Sequence, residues 1–254
     1  RGVFVLDVTD LSDLGGPSVL AERSEPDDSD IGHVFSAPEV GRLGGRWFAF
    51  YGNGAYSLGG RAVLLAIDLA TGAQLKFPIE TRLGRNGLMG VRTLRNQATG
   101  EVEALYGGDL QGNLWRVDFA RSANVADWKL GFRGVPLFTA RDGTGVAQPI
   151  TAKPTLATHY LGGRTVLFGT GKLMDLDDPD SRAMQTQYGV RDPTAEGDSS
   201  AAVDLTPWTS SSNHRDKLQQ QVIDTTPVLD VDHATASTST HFKTSANAVN
   251  SDTQ

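Results

Sequence analysis

One block of this sequence is written twice. Residues 36–54 read SAPEVGRLGGRWFAFYGNG, and residues 151–171 read TAKPTLATHYLGGRTVLFGTG. Each runs from a proline through a strand to an L-G-G-R turn, then through a second, aromatic-bearing strand to a G-x-G. A looser copy, GVRTLRNQATGEVEALYGGD, spans residues 90–109 with its turn at Ala98-Thr99-Gly100. Strands that end in aspartate stand between the copies: Asp7, Asp68 and Asp118 are 61 and 50 residues apart. That spacing is about one four-stranded unit, the repeat length of a propeller blade.

Period-2 alternation predicts strands at 2–8, 47–52, 61–69, 101–108, 113–119, 165–171 and 186–192, with turn signals at Gly44-Gly45, Thr71-Gly72, Thr99-Gly100 and Gly162-Gly163 between them. In a D-x-x-T-G strand end, the aspartate accepts from the turn's backbone N–H groups while glycine takes the positive φ of the reversal. Asp7, Asp68, Asp109 and Asp118, with Gly72, Gly108 and Gly112, are therefore read as structural turn residues. On the same reading YGGDLQGNLW (106–115) is the junction between two strands of one blade and not an active-site loop.

The totals agree with many short strands. The 254 residues include 29 glycines and 39% hydrophobic residues, enough for a large all-β domain. A net charge of −7 offers no footprint for a phosphate backbone, which argues against nucleic acid. No run of 18 apolar residues occurs, so no membrane span is expected, and zero cysteines exclude disulfides, thiolate metal sites and cysteine nucleophiles. The chain opens on a strand-like RGVFVLDVTD without methionine, as expected of a piece of a longer protein.

Blade-like repeats are expected over 1–192 and 223–233. Between them, about 193–222, lies an irregular or helical insertion in which NHRDKLQQQVI (213–223) is the best helical candidate. DTTPVLDVD (224–232) reads as another first strand. Residues 234–254, rich in Ser, Thr, Ala and Asn, read as a low-complexity loop or a strand edge without a partner.

Eight segments in order, VFVLDVTD, FSAPEVGRL, FYGNGAYS, AVLLAIDLATG, YGGDLQGNLWRVD, LFTARDGTGVAQPITAKPTL, VLFGTGKLMD and QTQYGVRD, resemble the C-terminal domain of the PilY-type (PilC/PilY) type IV pilus biogenesis proteins and adhesins. The likeness covers residues 1 to about 192, with a weaker echo at 224–232. It implies a modified β-propeller of quinoprotein-like blades, truncated at both ends, at the pilus tip or outer membrane of a Gram-negative bacterium. It further implies minor pilins as partners, a host-cell or surface ligand, and roles in pilus assembly, control of retraction, twitching motility and adhesion.

Many members of that family carry a calcium loop, D-x-[DN]-x-D-G-x-x-D, before the GGDLQG segment. Its ligand positions fall here on Arg95, Gln97, Thr99 and Glu103. Calcium asks for six to eight oxygens with several anionic donors, and a cation at the first position opposes it. The loop is therefore expected to be non-functional, with NQATGEV closing as a plain hairpin and no cofactor required. Asp27, Asp28 and Asp30 in EPDDSDIG, then LDDPDS (176–181) and LDVDH (229–233), are the alternative acid clusters, each more simply read as solvated or turn-capping.

FGTGKLM lacks the first glycine and the hydroxyl of a phosphate loop, and the histidines at 33, 159, 214, 233 and 241 show no metal spacing. No G-x-S-x-G elbow occurs. Trp47 and Trp115 sit in strand patterns and are expected in blade packing, whereas Trp208, in the polar stretch LTPWTSSSN, is the candidate contact residue. The expected working surface is formed by loops 23–33, 175–185 and 193–222. A non-enzymatic pilus-tip module is the leading reading. A glycan- or protein-binding propeller unrelated to pili and a quinone-cofactor dehydrogenase are the alternatives, the last lacking adjacent cysteines, an acid-plus-metal set and enough blades.

Overall fold

The duplicated hairpins become the first strand pairs of two antiparallel sheets in the computed structural model, which describes residues 2–10, 12, 18–79, 84–194, 214–220, 223–232 and 237–244. Strands β1 (Gly2–Leu6) and β2 (Val19–Ser24) form a two-stranded sheet. A four-stranded meander follows, of β3 (Glu39–Leu43), β4 (Arg46–Gly52), β5 (Val63–Asp68) and β6 (Gln74–Pro78). In the next sheet β7 (Leu88–Arg95), β8 (Val102–Asp109), β9 (Asn113–Asp118) and β10 (Lys129–Leu130) lie side by side, and β11 (Phe138–Thr139) also pairs with β9. Strands β12 (Thr155–Thr158), β13 (Arg164–Gly169) and β14 (Gln187–Asp192) make a third meander, and β15 (Ile223–Asp232) pairs with β16 (Ser237–Thr244).

The β3–β6 and β7–β11 sheets are apolar on both faces because each is sandwiched between neighbours. Alternation along β5 sends Leu64 and Ala66 to the layer shared with the β7–β11 sheet, where Phe48, Phe50, Val91, Val117, Phe119 and Trp128 meet them. Val63, Leu65 and Ile67 point the other way, toward Ala21, Val3 and Val5 of the first sheet. A third layer, with Tyr106, Leu114, Phe138, Val166, Phe168 and Tyr188, joins the β7–β11 and β12–β14 sheets. Two-sided burial explains why VLLAI reads as an unbroken apolar run, and burying each such aliphatic or aromatic side chain contributes about 1.5–3 kcal/mol.

The L-G-G-R text closes two different turns. Between β3 and β4, Leu43 pairs with Arg46, so Gly44 (φ 56°) and Gly45 (φ 78°) form a two-residue loop with both residues left-handed. Between β12 and β13, Thr158 pairs with Arg164, and the glycines end a five-residue loop instead.

Two expectations are corrected. The helix expected at 213–223 is a single 3-10 turn, His214–Lys217, with β15 beginning at Ile223. Tertiary bonds fix that turn: Thr139 N donates to His214 Nδ1 at 2.9 Å, and Arg215 Nη1 donates to Thr186 Oγ1 at 2.8 Å. Within the segment read as a loop or unpartnered edge, residues 237–244 form β16 in register with β15, consistent with the β-propensity of STSTHFKT.

Candidate functional site

The YGGDLQG junction is a polar knot with no free acid. Asp109 is fully buried at the end of β8. Its Oδ1 accepts from Gln111 N (2.9 Å) and Asn113 N (2.8 Å), and its Oδ2 from Asn86 Nδ2 (3.0 Å), Asn113 Nδ2 (3.0 Å) and Trp115 Nε1 (2.8 Å). Five donors leave no lone pair for a substrate proton. Gly108 and Gly112 crowd the same junction: a Cβ at Gly108 would lie 2.2 Å from Ile150 Cγ2, and Gly112 (φ 83°) sits against Ala140 O and Gln148 O. Asn53, at the end of the related β4, does the parallel work, its Oδ1 accepting from Val63 N and Leu88 N.

Asp68 closes its D-L-A-T-G turn by accepting from Ala70 N (2.8 Å) and Thr71 N (3.2 Å), and Gly72 N donates to Asp68 O. Its other oxygen pairs with Arg46. Asp7 accepts from Thr9 N and Oγ1 on the surface, whereas Asp118 is drawn inward to Arg116 Nε at 2.7 Å.

The turn onto which the family's calcium loop maps is built like the Asp68 turn, with asparagine in place of aspartate. Asn96 Oδ1 accepts from Ala98 N and Thr99 N at 2.9 Å, and Gly100 N donates to Asn96 O. Of the four mapped positions, Arg95 Nη2 donates to Val40 O, Gln97 and Thr99 are exposed, and Glu103 alone is a buried acid. Glu103 Oε1 accepts from Asn96 Nδ2 (2.8 Å) and Arg121 Nη2 (2.9 Å), while Oε2 is buried without a hydrogen-bond partner. Glu101 is committed to Gly45 N (3.1 Å) and Arg42 Nε (3.4 Å). Each of the two carboxylates thus has a guanidinium partner, and Arg95 is a third guanidinium beside them, a donor set that does not fit calcium.

Acids of the EPDDSDIG and LDDPDS clusters are likewise engaged. Asp30, almost fully buried, receives Arg61 Nε (2.9 Å) and Nη2 (2.8 Å) and Lys76 Nζ (2.9 Å). The Arg61 hydrogen bond, with that of Lys76, outweighs burial and holds the Asp30 carboxyl below its ordinary range. Asp28 pairs with Lys76 at 2.7 Å and Asp27 caps Ser24. In LDDPDS, Asp178 accepts from the Met174 and Asp175 backbone and from Lys172, which brings its carboxyl down to about 2. No group of three or more acids and histidines poised for a metal occurs among the described residues. In LDVDH, His233 lies outside the described residues.

Sequence reasoning passed over the most buried charges. Arg116, on β9, is fully enclosed: Nη1 donates to Asp192 Oδ2 (2.6 Å) and Tyr106 Oη (3.1 Å), Nε to Asp118, and its guanidinium lies 5.9 Å from the Phe132 ring centre. Tyr106 Oη donates to the same Asp192 oxygen at 2.6 Å, and burial pushes its phenol far above the usual range. Glu39 of β3 similarly links its sheet to β7 and to the segment leading into β12, meeting Arg92 (3.2 Å), Thr93 Oγ1 (2.9 Å) and Lys153. The partners on different sheets stand at least 53 residues apart, as Glu39 and Arg92 do, and Tyr106 and Asp192 are 86 apart, so only the blade repeat itself hinted at them.

Trp115 and Trp128 are buried and bonded, to Asp109 and Ser122 O. Trp47 departs from its expected burial: it is 52% exposed at the start of β4, in a shallow depression lined by Gly45, Arg46, Leu69 and Ala70. It precedes the first core residue of its strand, Phe48, and so falls beyond the sheet's packed region. Trp208 and most of loop 193–222 lie outside the described residues. In loop 172–178, Tyr56 Oη donates to Asp175 Oδ1 at 2.6 Å, tying the β4–β5 and β13–β14 loops together, and Leu58, Leu173 and Leu176 of these loops are exposed.

Comparison with known proteins gives this architecture a family. Residues 1–231 match the model of the PilY1 beta-propeller domain. The type IV pilus biogenesis factor PilY1 of Pseudomonas aeruginosa is 38% identical over 98% of this chain, and a PilY1 homolog of Xylella fastidiosa is 35% identical over 76%. The chain spans 22% and 14% of those two relatives. The crystal structure of the Pseudomonas aeruginosa PilY1 C-terminal domain superposes with a TM-score of 0.80 at 34% identity, over 97% of this chain and 52% of that one. The sheets are therefore blades of a β-propeller, and the chain belongs to the PilY1 β-propeller domain family.

Proposed function

We propose that this chain is the propeller module of a type IV pilus biogenesis factor, acting at the cell surface or pilus tip of a Gram-negative bacterium. There it assembles with minor pilins, supports pilus assembly against retraction, and contributes to twitching motility and attachment. The observation that carries this reading is the end-to-end likeness, in sequence and in three dimensions, to the C-terminal domain of a pilus biogenesis factor. We read the work as binding, and three of the buried acids, Asp109, Asp30 and Asp192, each spend their oxygens on internal donors.

The test is a chimera in which this chain replaces the matching segment of PilY1 in a Pseudomonas aeruginosa strain lacking its own copy. Surface pili and twitching zones well above the deletion strain are expected. A chimera that reaches the surface by immunoblot yet restores neither would overturn the assignment.

A further inference from the structure

We infer that the β7–β8 turn is locked by an internal cation, the Arg121 guanidinium, in place of a metal ion, so that this blade is indifferent to calcium. Glu103 is the one buried acid at the turn, and its unbonded Oε2 is the single feature there that would welcome a cation. The protein supplies a cation of its own to the same carboxylate, on its other oxygen, Oε1. After β9 the backbone turns through Ala120 (φ 49°) and Arg121 (φ 55°), two consecutive left-handed residues of types that disfavour that region. This fold-back, closed by Ser122 N donating to Phe119 O, delivers the guanidinium to Glu103 Oε1 at 2.9 Å. Asn96 completes the replacement, because its Oδ1 caps the turn while its Nδ2 donates to the same Glu103 oxygen. A carboxylate at position 96 would instead face that of Glu103 and call for a metal between them.

The charge around the turn agrees. Arg42 and Arg95 flank it and bond to Thr99 O and Val40 O, so an approaching divalent cation meets three positive side chains against two acids already in use. Arg121 and Glu103 tie the loop after β9 to β8, beside the turn that a metal at the mapped positions would occupy.

The experiment is a double-mutant cycle on the 254-residue chain, using Arg121→Ala, Glu103→Gln and both together. Melting is followed in EDTA and in millimolar calcium, with calcium calorimetry on the wild type. Equal melting temperatures in the two buffers are expected, with no heat and a double variant no less stable than Arg121→Ala alone, since the two residues act through one bond. Calcium stabilisation that survives Glu103→Gln places a cation elsewhere and leaves the lock intact. Calcium heat or stabilisation abolished by Glu103→Gln, or losses that simply add in the cycle, would overturn the inference.

Discussion

Loss of Arg116, a fully buried cation between two buried carboxylates, is expected to destabilise this blade strongly. Truncation to methionine keeps the apolar stem but leaves Asp118 and Asp192, both buried, without their common cation. Arg116 donates three charge-assisted bonds of 2.6–3.1 Å, to Asp192, Asp118 and Tyr106. Hydrogen bonds to charged groups are worth about 1.5–3 kcal/mol each, but their donors regain water on unfolding, so the sum overstates the loss. Breaking a buried ion pair by removing one partner destabilises by about 3–5 kcal/mol, and the higher end applies where two carboxylates are stranded. Urea denaturation at pH 7, followed by both tryptophan fluorescence and far-ultraviolet circular dichroism, reads this as a lower midpoint at unchanged slope. Arg116→Met with Asp192→Asn removes a stranded charge, and the pair is expected to be more stable than Arg116→Met alone. A loss under about 1 kcal/mol for the single variant, or strictly additive losses in the double, would refute the view that this network is an electrostatic unit.

Asp30 sets part of the acid limit. Its folded carboxyl lies below the unfolded value of about 3.9, so its stabilisation is complete above that pH and lost as pH falls through the folded value. Asp30→Asn should therefore lower stability at pH 7 and flatten the decline below about pH 4 in a melting series; an unchanged acid limb would count against it. Gly108→Ala drives a methyl group into Ile150 and is expected to cost about 1–3 kcal/mol in urea, whereas Gly100→Ala, with open space but φ of 71°, costs about 1 kcal/mol. Trp47→Ala should change stability by less than about 0.5 kcal/mol and diminish the red-shifted part of the tryptophan emission. A large loss there would mean that Trp47 packs as a core residue.

What could be read from the sequence was whatever depends on neighbours along the chain. The paired glycines, the x-A-T-G turns and the apolar run of β5 each act over a few residues, and each lies where alternation and turn chemistry put it. β2 and β6 escaped because VLAERS and QLKFP mix polar and apolar residues on partly exposed strands, leaving no clean period. Trp47 misled because position in a strand does not say whether the adjacent sheet extends far enough to cover it. Arg116, Asp192, Glu39 and Lys153 were invisible for a stronger reason: their meaning lies in partners one blade away, and a lone charged residue in a strand gives no sign of whether it will be solvated or paired.

The two x-A-T-G turns show how such long-range choices enter a local repeat. At both, one side-chain oxygen of the first residue caps the turn, so the cap alone does not decide between aspartate and asparagine. The second atom decides. Beside Asp68 stands Arg46, and a carboxylate oxygen answers it; beside Asn96 stands Glu103, and only an amide can donate to it. The local motif fixes the turn, and the neighbour across the sheet selects which residue may write it. In this chain that selection has gone to an amide and an arginine, so the turn closes on groups the protein carries in its own sequence.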